Sequence, residues 1–131
     1  MQIVLVDDEH VSVFVTKKIL EREGIADELH AFELPEEALR YVQQSIPAHI
    51  PNVILLDLNM PGLNGWEFLQ SLQPYENQLL GQCFIYILTS SLDPADTVRS
   101  SEFPLVSGLI HKPLDRIQVR AIFDQVVTKQ L

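Results

Sequence analysis

The sequence is poor in cysteine and in long apolar runs. Its single cysteine, Cys83, cannot form an internal disulfide, and its apolar neighbours favour a buried, unreactive thiol. The longest unbroken apolar run is residues 83–88, which is too short to cross a membrane. The start, MQIVLVDDE, has no basic segment before its apolar residues, so a signal peptide is not expected. These features together predict a cytoplasmic protein.

Basic residues are also scarce, because nine lysines and arginines face eighteen acidic residues and leave a net charge of −9. This charge disfavours electrostatic binding to nucleic acid or to an anionic membrane, although a cationic patch on a protein partner would be attracted. No linker, repeat or low-complexity segment divides the 131 residues, which suffice for one well-buried core but not for two ordinary domains. We therefore expect one domain over residues 1–131, without an appended output domain.

Short apolar segments alternate with helical patterns along the whole chain. Four of these segments are largely apolar, as in strands buried on both faces, and one alternates like a less buried edge strand. The predicted strands are 2–6, 28–32 (the edge strand), 53–56, 83–88 and 105–110. Helices are predicted at 9–23, from Pro35, at 63–72, from Asp93-Pro94 to before Pro104, and at 115–129. This order predicts an α/β fold of the (βα)₅ type, in which a doubly wound, parallel five-stranded sheet lies between two layers of helices.

Five polar side chains stand where the predicted buried strands end. Asp7 and Asp8 follow the first strand, Asp57 follows the third, Thr89 the fourth and Lys112 the fifth. In such sheets, ligands bind beyond the carboxyl ends of the strands. We therefore expect these five side chains to meet in one site.

The chemistry of this site follows from its charges. Three carboxylates a few ångströms apart would repel one another by about 4 kcal/mol per pair near a protein surface, so the cluster requires protons or a cation. Oxygen ligands without His or Cys at metal-binding spacing favour Mg²⁺, or Mn²⁺, over Zn²⁺ and leave open positions for a phosphoryl group. Asp57 can then act as a nucleophile, while Lys112 and the metal neutralise charge and Thr89 donates a hydrogen bond.

These residues belong to four motifs that occur in a fixed order. The motifs are VDDE (6–9), LLDLNMPGLNG (55–65), ILTSS (87–91) and HKP (111–113). Across essentially the whole chain, the series resembles the receiver domain of two-component response regulators. The resemblance implies a flavodoxin-like, three-layer sandwich with strand order 2-1-3-4-5.

The resemblance also assigns roles to residues. It implies that Mg²⁺ is held by Asp8, by Asp57 and by the backbone carbonyl of Asn59, and that Asp7 acts mostly through water. It implies that Thr89 and Lys112 contact the phosphoryl group on Asp57. The Lys112–Pro113 peptide bond is expected to be cis, an isomer that proline makes accessible.

By the same resemblance, the protein is a signalling switch rather than a conventional enzyme. It would take a phosphoryl group from a histidine kinase or a histidine phosphotransfer protein and lose it by autodephosphorylation. The surface of the fourth helix, fifth strand and fifth helix would then change and engage a downstream target. The chain is expected to be a monomer or a weak homodimer. One position departs from the family, because Leu109 stands where receivers often carry a switching Tyr or Phe.

Other classes share parts of this pattern. A flavodoxin-like nucleotide binder needs phosphate-binding donors after the first strand, where this chain has Asp7-Asp8-Glu9. A phosphatase of the haloacid dehalogenase type carries its Asp-x-Asp motif after the first strand, whereas Asp57-Leu58-Asn59 follows the third. A phosphorylation-independent interaction module would keep only the fold. Taken one at a time, the site residues are also ordinary helix caps, turn residues and surface charges.

The first helix carries apolar residues on more than one side. Val11, Val15 and Ile19 recur at i, i+4 and i+8 and predict the buried stripe. Val13 and Leu20 then lie on another side of the helix. They are either scattered surface apolar residues or a docking patch for a kinase.

Overall fold

The five apolar runs form the strands of one parallel sheet, each within one residue of its predicted bounds. The computed structural model describes residues 1–130. Its strands are β1 (Gln2–Val6), β2 (Glu28–Phe32), β3 (Val53–Asp57), β4 (Phe84–Thr89) and β5 (Val106–His111). They lie in the order β2-β1-β3-β4-β5, which confirms the predicted flavodoxin-like topology. Strand β2 is at the edge and only partly buried, as its alternating sequence indicated.

Helices cover both faces of the sheet. They are α1 (His10–Glu23), α2 (Pro35–Ser45), α3 (Gly65–Leu72), α4 (Glu76–Leu79), α5 (Pro94–Ser100) and α6 (Arg116–Gln130). The short α4 and the 3₁₀ turn Gln73–Tyr75 before it were not predicted, because these segments are too short to show a helical period. Within residues 1–130, none of the helices has both the length and the apolar character needed to span a bilayer.

Alternate residues of each central strand point to opposite faces and build two apolar layers. On one face, Val4, Val6, Ile54 and Leu56 pack with residues of α2 and α3. On the other face, alternate strand residues pack with α1 and α6. The second layer includes Ile3, Leu5, Val53, Leu55, Tyr86 and Leu88 with Val13, Leu20, Val119, Ile122 and Val126. Cys83 is buried in the first layer, and burial raises the pKa of its thiol to about 12, in line with an unreactive cysteine.

The predicted buried face of α1 is wrong. Of the predicted stripe, Val11 is 75% exposed, Val15 is 41% exposed and Ile19 alone is partly buried. Val13 and Leu20, which were interpreted as surface residues or a docking patch, are instead buried in the layer shared with α6. Apolar side chains occur around most of this helix, so periodicity alone did not identify the side that packs. The contact with α6 identifies it, because the carboxylate of Glu23 at the end of α1 accepts a hydrogen bond from Arg120 of α6 at 2.9 Å.

Candidate functional site

The sheet brings the predicted site residues to one edge. Asp7 directly follows β1, and Asp57 ends the neighbouring β3. Thr89 ends β4, and Lys112 directly follows β5. The backbone N–H of Lys112 donates to the Thr89 carbonyl at 2.9 Å, which ties these two strand ends together. The four side chains therefore start from adjacent points along the carboxyl edge.

The loop after Asp57 is fixed by close backbone packing. Gly62 has a φ of +81°, a conformation that favours glycine. A Cβ atom on Gly65 would lie 2.8 Å from the carbonyl oxygen of Asp57, so only glycine fits there. The N–H of Gly65 also donates to the Leu58 carbonyl at 3.0 Å, and Asn64 caps α3 through its side chain. These contacts hold the first turn of α3 against the backbone of Asp57.

Three carboxylates and one ammonium group form the centre of the site. Asp7, Asp8 and Asp57 each offer an oxygen, and these atoms lie within 4.8 Å of one another. The Nζ atom of Lys112 lies 2.8 Å from Asp7 Oδ2, 3.5 Å from Asp57 Oδ2 and 3.6 Å from Glu9 Oε1. One positive charge thus faces four carboxylates, and the site keeps an excess of negative charge.

Burial and the neighbouring charges both change the pKa values of the site residues. Burial raises the pKa of Asp57, the charge of Lys112 lowers it and the charge of Asp7 raises it, so that the net pKa is about 6 against the usual 3.8. Burial lowers the pKa of Lys112, but its hydrogen bond and ion pairs with Asp7, Asp57 and Glu9 outweigh burial and place the net pKa above the usual 10.5. Lys112 therefore remains positively charged, and its surroundings disfavour the ionised form of Asp57.

The donor set fits a divalent cation that prefers oxygen ligands. Asp8 is only half-buried, and among residues 1–130 its carboxylate makes no hydrogen bond or ion pair. Asp57 Oδ1 accepts one weak hydrogen bond, from the Asn59 N–H at 3.4 Å. Both carboxylates thus retain free lone pairs. Mg²⁺ typically binds through one or two such carboxylates and keeps its remaining positions for water and phosphate oxygens.

The Thr89 hydroxyl is held by its own loop rather than by the acids. Thr89 is fully buried, and its Oγ1 accepts a hydrogen bond from the Ser91 N–H at 3.0 Å. Leu109 pairs with Ile87 in the sheet and packs against the apolar layer on the α3 side. The Lys112–Pro113 peptide bond is cis.

Two hydroxyl groups at the site were not predicted from the sequence. Ser12 Oγ in the first turn of α1 donates to Asp7 Oδ2 at 2.5 Å, and Ser90 lines the cleft next to Lys112. The cleft has a volume of about 290 Å³ and is lined by Asp8, Glu9, Asp57, Asn59, Ser90 and Lys112. Ser12 could have been recognised, since a residue in the first turn of a helix that follows a strand can face back to the strand end.

The comparison with known proteins agrees with this geometry. Residues 3–124 match the family model of the response regulator receiver domain. The chain belongs to this family. The receiver domain is 30% identical over 116 residues to hybrid signal transduction histidine kinase C of Dictyostelium discoideum. That match covers 86% of this chain but 9% of the relative, so the chain spans about a tenth of that protein.

Solved structures support the same assignment. A two-component response regulator from Cytophaga hutchinsonii is 26% identical to the receiver domain and superposes with a TM-score of 0.86 over 97% of this chain and 96% of that chain. A response regulator receiver protein from Dyadobacter fermentans, also 26% identical, gives 0.85 over 97% and 98%. These matches argue against the nucleotide binder and the haloacid dehalogenase phosphatase considered from the sequence.

The raised pKa of Asp57 predicts how stability depends on pH without a divalent cation. Because folded Asp57 holds its proton more tightly than unfolded Asp57, stability falls as pH rises from 3.8 through about 6. The full shift corresponds to about 3 kcal/mol, and solvent contact reduces this to about 1–2 kcal/mol. We expect Asp57→Asn to be more stable than the natural chain by that amount at neutral pH, and by less near pH 5.

Urea unfolding in EDTA at both pH values measures this difference. Asp124→Asn, which neutralises an exposed carboxylate on α6, is the matched control and should show little change at either pH. If Asp57→Asn gains the same free energy of unfolding at the two pH values, the raised pKa does not belong to Asp57.

Proposed function

We propose that this receiver domain accepts a phosphoryl group from a phosphohistidine onto Asp57, with Mg²⁺ bound, and later loses it by hydrolysis. The observation that carries the proposal is the position of Asp57. It lies at the carboxyl edge of the sheet with Lys112 Nζ at 3.5 Å and two further carboxylates within ligand distance of one cation. Within residues 1–130, Asp7, Asp8 and Asp57 form the one cluster of three acids that could hold a cation.

Each residue has a task in this transfer. An oxygen of the Asp57 carboxylate forms the new bond to phosphorus, and the bond from phosphorus to the histidine nitrogen breaks with its electron pair going to the imidazole. Asp8, Asp57 and the Asn59 carbonyl would hold the Mg²⁺, which supplies positive charge to the phosphoryl oxygens. Lys112 adds a second positive charge, and the Thr89 hydroxyl donates a hydrogen bond to the group on Asp57. Attack by water then releases phosphate and restores the carboxylate.

The direct test uses a small phosphodonor. Incubation with acetyl phosphate and Mg²⁺ should attach one phosphoryl group, and peptide mapping should place it on Asp57. An acyl phosphate is an activated carboxyl, so hydroxylamine should remove the label. A stable label on a hydroxyl group would contradict the proposal. A phosphorylation-independent module would acquire no label, and the intact set of site residues does not favour that alternative.

We infer that the phosphodonor is a histidine kinase or a histidine phosphotransfer protein that docks on α1. The exposed side of this helix carries Val11 and Phe14, which are 75% and 61% exposed. Val11 and Val15 line a groove of about 280 Å³ that continues to Lys112 and Pro113 at the site. A partner helix with an apolar face could occupy this groove and bring its phosphohistidine to Asp57. The proposal includes a cytoplasmic setting, a monomer or weak homodimer, and no nucleic-acid partner.

A charge placed in the groove should separate protein donors from small donors. We expect Val15→Glu to slow transfer from a phosphorylated histidine kinase at least tenfold, because the groove would have to bury an unpaired carboxylate. Labelling by acetyl phosphate should change less than twofold. Rapid-mixing phosphotransfer assays with both donors measure the two rates.

Val127→Glu provides the matched control. Val127 is on α6 and is 38% exposed, close to the 41% of Val15, and it does not line the groove. It should leave both rates unchanged. If Val15→Glu slows both donors equally, the groove is part of the chemistry and not a docking surface.

We further propose that phosphorylation switches the segment from Thr89 through α5 to β5. A chain of hydrogen bonds connects the Thr89 hydroxyl to the start of α5. Ser91 N–H donates to Thr89 Oγ1 at 3.0 Å, Asp93 N–H donates to Ser91 Oγ at 3.1 Å, and Ala95 N–H donates to Asp93 Oδ1 at 3.0 Å. If Thr89 turns towards a phosphoryl group, the first of these bonds breaks and the loop loses its anchor.

The α5 helix buries little of its own surface. Ser100 is its only buried residue, and the groove of about 410 Å³ between α5 and β5 contains Leu109 in place of a larger aromatic side chain. Its last turn is fixed by Arg99 over the ring of Trp66 at 4.7 Å, and Phe103 just beyond stacks on the same ring. A segment that buries so little apolar surface can shift at low cost.

Amide hydrogen exchange tests this switch. Addition of beryllofluoride and Mg²⁺ should alter exchange across residues 89–112 and leave α2 unchanged. The Thr89→Ala variant should lose most of the difference, because it lacks the hydroxyl that links site and loop. Thr128→Ala, at an exposed position of α6 outside residues 89–112, is the control and should keep it. Identical exchange with and without beryllofluoride in the natural chain would exclude the switch.

A further inference from the structure

Both oxygens of the Asp7 carboxylate accept hydrogen bonds from donors of the protein. Oδ1 accepts the Glu9 N–H at 3.0 Å, and Oδ2 accepts both Ser12 Oγ at 2.5 Å and Lys112 Nζ at 2.8 Å. Asp7 is completely buried. A buried carboxylate that loses a hydrogen-bond donor bears the full free-energy cost of its desolvation. The loss of any one of these three donors is therefore unfavourable.

The phosphorylation proposed above requires the Nζ atom of Lys112 to move. Its Nζ lies closer to Asp7 than to Asp57, at 2.8 Å against 3.5 Å, and a phosphoryl group would lie beyond the Asp57 oxygen to which it is bonded. As Nζ turns towards that group, its hydrogen bond to Asp7 Oδ2 weakens. Ser12 is then the side-chain donor that remains on the same oxygen.

We propose that Ser12 is a positioning residue for phosphoryl transfer. Its hydroxyl keeps Asp7 Oδ2 hydrogen-bonded while Lys112 is drawn towards the phosphoryl group, and so favours the phosphorylated state over the free state. Ser12 touches neither Asp57 nor the cation ligand Asp8 through a hydrogen bond, and acts through Asp7 alone. Its side chain is half-buried and also lines the α1 groove, where a docked partner would shield this hydrogen bond from water.

The test compares binding of beryllofluoride, a phosphoryl analogue, with binding of Mg²⁺ alone. In calorimetric titrations with saturating Mg²⁺, we expect Ser12→Ala to weaken beryllofluoride binding about tenfold, the lower end of the effect of losing one hydrogen bond to a charged group. Affinity for Mg²⁺ alone should change less than twofold, because Lys112 keeps its place on Asp7 in that state. Ser12→Thr retains the hydroxyl and should restore beryllofluoride binding to within about twofold of the natural chain.

The matched control is Ser71→Ala on α3. Ser71 Oγ donates to the Glu67 carbonyl at 2.9 Å, so the control also removes one side-chain hydrogen bond from a helix but lies away from the acids. It should leave both affinities unchanged. Equal beryllofluoride binding by Ser12→Ala and the natural chain would overturn the role of Ser12 and leave Asp57 as phosphoacceptor. A parallel loss of Mg²⁺ and beryllofluoride affinity would also overturn it, in favour of a purely structural role. Failure of the natural chain to bind beryllofluoride would contradict the proposed function itself.

Discussion

Asp57→Asn will accept no phosphoryl group from acetyl phosphate or from a phosphorylated histidine kinase. The amide lacks the anionic oxygen that attacks phosphorus, and no neighbouring acid can replace it in the same place. Asp7 is completely buried with both oxygens engaged, whereas the Asp57 side chain retains 7% exposure at the cleft. We therefore expect labelling to fall to the background of the assay, measured as phosphoryl groups per chain by intact-mass spectrometry.

Two controls make this result specific. Asp124→Asn removes an exposed carboxylate from α6 and should label as fully as the natural chain. Unfolding in urea should show that Asp57→Asn is folded, since the substitution relieves charge repulsion. Labelling of Asp57→Asn to the same extent as the natural chain would move the phosphoacceptor elsewhere.

Asp8→Asn will weaken Mg²⁺ binding at least about tenfold, since even the loss of a residue that only supports a metal ligand costs about 10- to 100-fold. Asp8 is half-buried with no other partner among residues 1–130, so a cation loses a carboxylate ligand while no compensating protein contact is broken. The negative excess of the site also falls, because one of its four carboxylates becomes neutral. Calorimetric titration with Mg²⁺ in the absence of any phosphodonor measures the change directly.

The same variant should show how labelling depends on the cation. At low Mg²⁺ concentration, acetyl phosphate should label Asp8→Asn far more slowly than the natural chain, and high Mg²⁺ should recover part of the rate. The Asp124→Asn control should follow the natural chain in both titrations. An unchanged Mg²⁺ affinity in Asp8→Asn would show that Asp8 is not a ligand of the cation.

Much of the fold was available from the sequence because local patterns and strand order agreed. The apolar runs within 2–6 and at 53–56 are short and contain β-branched Val and Ile, which favours buried strands over helices. Parallel strands then place Asp7 and Asp57 at the same edge without any knowledge of side-chain contacts. The prediction for the buried face of α1 was wrong because the local pattern there did not distinguish one side from another. Val11, Val13 and Val15 are equally apolar, and only the packing of α1 against the sheet and α6 distinguishes them.

The sequence by itself determined that acids, a threonine and a lysine stand at successive strand ends, because that property depends only on residue order and on parallel connections. The tertiary structure alone decided which atoms meet. Lys112 and Asp7 are separated by 105 positions yet lie 2.8 Å apart, and Ser12 shares the same Asp7 oxygen. Such contacts depend on side-chain direction and on how each helix is rotated against the sheet, which periodicity does not specify when apolar residues occur on several sides.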